Sequence, residues 1–237
     1  MKTYIFIHGG ESFQNYEEYL KWIETTAVEW SLDPYTIKTE KKKWKTEIAN
    51  TLTLRWNAVY MPNFPNPQNA KYNEWKLFFD TWMSQISLSS DIILIGNSLG
   101  GCFLLKYFSD YSVIAKNEAI QENNNESSLE SGLPRHFVLG QQNSSQWQKK
   151  IVQIHLIASC IEAGDSTPPV NYDFLQKLGN NVHIWHSEDD RVVPFSTGKE
   201  LSYIFPEAKT HFFESEKWYG HFHGIERILE FENEILK

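Results

Sequence analysis

Ile92-Ile93-Leu94-Ile95-Gly96-Asn97-Ser98-Leu99-Gly100-Gly101 decides how this chain is read. Its four consecutive apolar residues do not alternate with polar ones, as expected of a strand covered by helices on both faces and therefore central in its sheet. Through GxSxG the strand runs straight into a second apolar stretch, Leu99 to Phe108, with helical spacing. A strand that becomes a helix over so few residues forces the central serine into strained backbone with its hydroxyl exposed. Side chains two before and two after it would collide with the neighbouring strand and helix, which accounts for Gly96 and Gly100. Ser98 is the candidate nucleophile.

Further short apolar runs flank this segment: Tyr4 to Ile7, Ala58 to Met61, Ile151 to Ala158, Val182 to Trp185 and Thr210 to Phe213. With Ile92 to Ile95 they predict six strands. Helical spacing lies between them, at Tyr72 to Ile86, Thr197 to Phe205 and Ile225 to Ile235. Alternating strands and helices imply a mostly parallel sheet with helices on both faces, in a single α/β domain over 1–237. Residues of about 15–55 exceed a minimal plan: Tyr16, Tyr19, Leu20, Ile23 and Ala27 mark one extra helix, and Trp44, Ile48 and Leu52 another, with the Leu32-Asp33-Pro34 turn between. Both are expected to pack beside the sheet. Lys41-Lys42-Lys43, flanked by Glu40 and Glu47, reads as a solvated helix start. Residues of about 116–148, with Asn123-Asn124-Asn125 and Gln141-Gln142, read as a polar surface insertion, either a lid or disordered.

Composition narrows the function classes. The 237 residues carry 22 basic and 30 acidic side chains, net −8, which repels phosphate backbones and anionic lipid surfaces. No nucleic acid partner is expected, and no apolar run approaches the roughly 20 residues that span a bilayer. Aromatic residues make up 15% of the chain while its mean hydropathy is −0.47, as in a packed globule with interleaved polar groups. Two cysteines, Cys102 and Cys160, fit neither a disulfide framework nor a zinc site. A cytoplasmic location is expected.

A serine hydroxyl needs a base to take its proton and a carboxylate to orient that base. In chain order these should follow downstream, on loops after later strands. After the Val182 strand comes His186-Ser187-Glu188-Asp189-Asp190-Arg191-Val192-Val193-Pro194, and after the Thr210 strand comes Gly220-His221-Phe222-His223-Gly224. Asp190 has the context of an acid on the turn before a helix; Asp189 and Glu188 are alternatives, otherwise helix-start or solvated charges. His221 follows a glycine that gives its loop room to reach the serine, whereas His223 lies nearer the next helix. His183 and His186 sit on opposite faces of a strand, so no metal set is expected. The donors for a developing oxyanion are expected to be the backbone N–H of Leu99 and, from the His8-Gly9-Gly10 loop, of Gly10, with Glu11 as the alternative.

Together with Met61-Pro62-Asn63-Phe64-Pro65-Asn66-Pro67 followed by Glu74-Trp75, these segments resemble the small serine hydrolases grouped with retinoblastoma-binding protein 9 and its bacterial relatives, within the α/β-hydrolase superfamily. The likeness runs nearly end to end. It implies the α/β-hydrolase fold, with the second aspartate of Asp189-Asp190 and the histidine before Phe222 as catalytic. Two departures stand out: the family commonly has histidine before the serine where this chain has Asn97, and its members are often shorter, lacking the extra helices and the insertion.

The expected activity is that of a cofactor-free serine carboxylesterase acting on small to medium acyl esters through an acyl-enzyme on Ser98. Acyl transfer and amide cleavage would use the same residues, and a non-catalytic interaction module retaining the fold is the alternative from another class, although no sequence feature indicates a protein partner. Ser159 to Leu178, with Pro168-Pro169 and Phe174, either joins Phe64 and Trp218 in an apolar acyl pocket or is ordinary loop packing.

Overall fold

The computed structural model describes residues 1–31, 43–86, 90–110, 150–165 and 171–237. Six strands form one sheet: Lys2–Ile7 (β1), Ala58–Tyr60 (β2), Asp91–Asn97 (β3), Ile151–Ile157 (β4), Val182–Ser187 (β5) and Lys209–Phe213 (β6). Their order is β2-β1-β3-β4-β5-β6 and every neighbouring pair is parallel. These are the six strands predicted from the apolar runs, and β3 is interior, with every residue after Asp91 buried.

The helices are Tyr16–Ser31 (α1), Trp44–Leu54 (α2), Tyr72–Met83 (α3), residues 99–110 (α4), Asp173–Leu178 (α5), Phe195–Ile204 (α6) and Leu229–Ile235 (α7). Alternation along the strands separates two apolar layers. Ile5, Ile7, Ile92, Leu94, Leu156 and Ile184 face α3, α4 and α6, with Trp75, Phe79, Phe103 and Leu201 inserted between. Tyr4, Phe6, Ile93, Ile95 and Trp185 face α2 and α7 through Trp44, Ile48, Leu52 and Phe231.

Three predicted helices differ. α3 ends at Met83 rather than Ile86, because Gln85 and Ile86 donate to the carbonyls of Trp82 and Met83 and tighten the last turn. α7 starts at Leu229 rather than Ile225: Phe222 and Gly224 have positive φ, and the Ile225 carbonyl accepts from the Trp44 amide. α2 packs on the sheet as expected, but Tyr16, Leu20 and Ile23 of α1 are exposed. Tyr19 and Trp22 of α1 instead cluster with Phe13, at ring separations of 5.6 Å each. The Leu32-Asp33-Pro34 turn, Lys41, Lys42, Pro168-Pro169 and the polar stretch 116–148 lie outside the described residues.

Because all strands are parallel, the segments after β1, β3, β4, β5 and β6 leave one edge of the sheet. Strand order reverses between β1 and β3, and the crevice beyond the carboxyl ends at such a reversal is where open α/β sheets bind ligands.

Candidate active site

Ser98 follows β3 directly and has φ of 54°. Its amide donates to the Ile157 carbonyl at 2.8 Å, and its own carbonyl accepts from Gly101 and Cys102 at 2.9 and 3.2 Å, starting α4. A Cβ on Gly96 would lie 2.7 Å from backbone of Gly100 and Gly101, and one on Gly100 would lie 2.4 Å from the Ile7 carbonyl oxygen. The steric reason for GxSxG read from the sequence therefore operates here.

The two downstream loops also meet. His221 Nδ1 donates to Asp190 Oδ2 at 2.8 Å, with both side chains buried. Asp190 Oδ1 accepts the amides of Val192 (2.8 Å) and Val193 (3.0 Å). Burial alone would raise this carboxyl; the hydrogen bonds from His221 and the two amides, with the His221 charge, outweigh it and hold Asp190 below the usual carboxylate range. His186 Nε2 donates to the Val193 carbonyl at 2.9 Å and lies 3.5 Å from Asp190 Oδ2.

Of the other two acid candidates, Glu188 is exposed. Asp189 is neither a helix cap nor a solvated charge. Its Oδ1 accepts the Ser187 hydroxyl and the Gly220 amide, the latter at 2.9 Å, and so pins the residue before His221. His223 is exposed, with its ring centroid 5.0 Å from that of His221.

The loop after β1 presses against the elbow, since a Cβ on Gly9 would lie 3.0 Å from Ser98 Cβ. The Glu11 amide is occupied, donating to the Pro67 carbonyl at 2.8 Å. The amides of Gly10 and Leu99 have no acceptor among the described residues, and as the first residue of α4 Leu99 has no partner within its helix. Gly10 must be glycine, because a Cβ there would lie 2.4 Å from the Pro67 carbonyl oxygen. The proline-rich loop braces this turn: Phe64 N donates to His8 Nε2 at 2.9 Å, and Trp75 Nε1 donates to the Pro65 carbonyl at 2.8 Å.

Ser98, His221, Gly10 and Leu99 line one open cleft of about 560 Å³. Among the described residues no hydrogen bond joins the Ser98 hydroxyl to His221. Glu11, Cys160, Glu162 and Val193 complete much of the wall.

Lys45, from the extra helix α2, also lines this cleft, and the sequence reading did not single it out. Its Nζ donates to Asn97 Oδ1 at 2.6 Å, while Asn97 Nδ2 donates to the Ile157 carbonyl at 3.3 Å. The extra helix and the residue before Ser98 are thus in contact. Burial, and then the Lys43 charge, push the Lys45 ammonium down to about 8. A basic residue in the first turn of a helix opposes the macrodipole, the one sequence signal that marked it.

The acyl-pocket reading of Phe64 and Trp218 is not met. Phe64 is buried among Trp75, Phe78 and Phe103, and Trp218 is 79% exposed. Phe174 stacks on Phe108 at 4.5 Å, as in ordinary packing. Among the described residues no group of three or more His, Cys, Asp or Glu side chains is placed to hold a metal ion. Nor is any helix among them long and apolar enough to cross a membrane.

No protein-family model and no curated protein matches this sequence. Solved structures do. The ydeN gene product from B. subtilis aligns over 100% of this chain and 97% of its own, with a TM-score of 0.59 and 14% identity. A predicted CIB-like hydrolase from Thermoplasma acidophilum covers 99% and 84%, with a TM-score of 0.53 and 13% identity. Est1E from Butyrivibrio proteoclasticus, solved with ferulic acid bound, covers 100% and 88%, with a TM-score of 0.51 and 12% identity. At such identities the likeness concerns architecture, and with the parallel six-stranded sheet it establishes that this chain has the α/β-hydrolase fold.

Proposed function

We propose that this protein is a serine hydrolase, a carboxylesterase acting on small to medium acyl esters. Ser98 Oγ attacks the ester carbonyl carbon as His221 Nε2 takes its proton, and Asp190 keeps the proton on His221 Nδ1 and offsets the imidazolium charge. The tetrahedral oxyanion is held by the amides of Leu99 and Gly10. Its collapse expels the alkoxide, which leaves with the proton from His221. Water, deprotonated by the same imidazole, then releases the acid and restores Ser98.

The observation that carries this reading is the 2.8 Å contact of His221 with Asp190, on a cleft that also contains Ser98 at a positive-φ elbow. The unengaged Gly10 amide, against the occupied Glu11 amide, supports Gly10 as second oxyanion donor. The architectural likeness to hydrolases, Est1E among them, is consistent with it. Covalent labelling by a fluorophosphonate is the test: the wild type should label and Ser98→Ala should not. Equal labelling of both would remove Ser98 from the mechanism.

A further inference from the structure

We propose that Lys45 is the anion-binding residue of this cleft, so that the ester taken by the protein carries a free carboxylate. The inference rests on the hydrolase reading for the word ester, and on Lys45 alone for the anion.

The position of Lys45 is fixed by its neighbour. Trp44 is buried, and its amide and indole N–H donate to the carbonyls of Ile225 and Phe222, each at 3.0 Å. The first turn of α2 is thereby fastened to the segment carrying His221 and His223. From there the ammonium reaches across to Asn97, the residue immediately before Ser98.

Among the described residues no ion pair compensates its charge. Besides Asn97 Oδ1, it has the Trp44 ring, 5.6 Å from Nζ. No carboxylate lies within ion-pair distance among the described residues, and Lys43 adds a like charge. A half-buried cation held by a neutral amide is stabilised by an anion that can reach it. Access exists, because Lys45, His8 and Asn97 border both the main cleft and a side pocket of about 100 Å³. The rest of that pocket is largely apolar, with Phe6, Ile7, Met61, Pro62 and Ile95 in its wall.

The charge count selects a carboxylate. Glu11 and Glu162 line the same cleft, and the whole chain is net −8. A doubly charged phosphate brings two negative charges to one ammonium, whereas a carboxylate brings the one that Lys45 matches, meets half the repulsion from Glu11 and Glu162, and leaves a short apolar chain for the side pocket.

Binding is tested apart from turnover by titrating glutarate into Ser98→Ala, calorimetrically, with and without Lys45→Met. Glutarate should bind, Lys45→Met should weaken it by about tenfold or more, and Lys45→Arg should retain part of the affinity. Absent binding, or binding unchanged by Lys45→Met, overturns the proposal. Inorganic phosphate, titrated in parallel, should not bind; affinity equal to that of glutarate overturns the choice of a carboxylate. In the otherwise wild-type protein the ratio of kcat/KM for monomethyl glutarate to that for methyl hexanoate should fall about tenfold in Lys45→Met. Lys45→Gln repeats each comparison if Lys45→Met does not fold.

The two readings fail separately. Lys45-dependent glutarate binding in a protein that resists fluorophosphonate keeps the anion site and removes the hydrolase. Labelling of Ser98 with glutarate binding and the ester ratio unchanged by Lys45→Met does the reverse.

Discussion

The carboxylate of Asp190 is divided between two tasks: Oδ2 accepts His221 Nδ1 at 2.8 Å, while Oδ1 accepts the amides of Val192 and Val193 at 2.8 and 3.0 Å. That division makes Asp190→Asn a sharp test. The two amides require an oxygen, so the new NH2 must turn toward His221 Nδ1. The imidazole then carries its proton on Nε2, the nitrogen that has to accept from Ser98. kcat should fall by about 10³ to 10⁴ with the fold retained. A loss smaller than about tenfold in steady-state ester hydrolysis would reassign the acid.

Asp189 gives a contrasting prediction. Its Oδ1 accepts the Ser187 hydroxyl and the Gly220 amide, and asparagine preserves that oxygen whereas alanine does not. Asp189→Asn should change kcat by only a few fold, while Asp189→Ala should lower it further and speed amide exchange at Gly220. If the asparagine variant lost as much activity as Asp190→Asn, Asp189 would have a direct part in catalysis.

The strands and the elbow were legible because their causes are local. Ile92 to Ile95 reads as a doubly covered strand from four side chains, and Gly96 and Gly100 are dictated by clashes within a few residues of Ser98. That the loops of Asp190 and His221 would meet was legible because chain order and loop context restrict the choice. Lys45 was not. Its place depends on Trp44 reaching Phe222, a contact across 178 residues, and the Lys41-Lys42-Lys43 run before it reads as the solvated start of a helix. For the same reason the sequence leaves Phe64 open between an acyl pocket and ordinary packing: its aromatic partners Trp75, Phe78 and Phe103 come from two helices whose packing no local pattern reveals.

The elbow also predicts where a single methyl is intolerable. A Cβ on Gly100 meets the Ile7 and His8 carbonyl oxygens at 2.4 and 2.7 Å, backbone on an interior strand and its loop that cannot move aside independently. Gly100→Ala should lower the unfolding free energy by about 3 kcal/mol or more. Gly224→Ala is the control, because its Cβ has nothing within 4 Å and only the φ of 71° opposes it; that strain costs about 1 kcal/mol. Urea midpoints that rank the two the other way would mean that the loop after β1 yields to α4.

Acid stability follows from a row of imidazoles across β4, β5 and β6. His155 stacks on His183 at 4.5 Å and His183 on His211 at 5.4 Å, while His155 Nδ1 accepts the Trp185 indole N–H at 3.1 Å. Burial first, then the charges of neighbouring imidazoles and Lys209, hold His155 well below its usual range; burial first, then the Lys209 and His211 charges, bring His183 to about 4, and burial, against the opposing pull of Glu234, brings His211 to about 4. The unfolded chain therefore binds protons below pH 6.5 that the folded chain refuses, and stability falls as pH drops from there toward 4. For the fully buried His155 and His183 the slope is about 1.4 kcal/mol per pH unit each. Asp190 and Glu234 are held below the usual carboxylate range, Glu234 at about 2, so their contributions are lost only at lower pH. Urea midpoints measured between pH 7 and 4.5 should decline, and His155→Gln, which still offers Trp185 an acceptor, should flatten the decline by one proton. Parallel curves for the two proteins would mean that His155 takes up its proton inside the folded sheet.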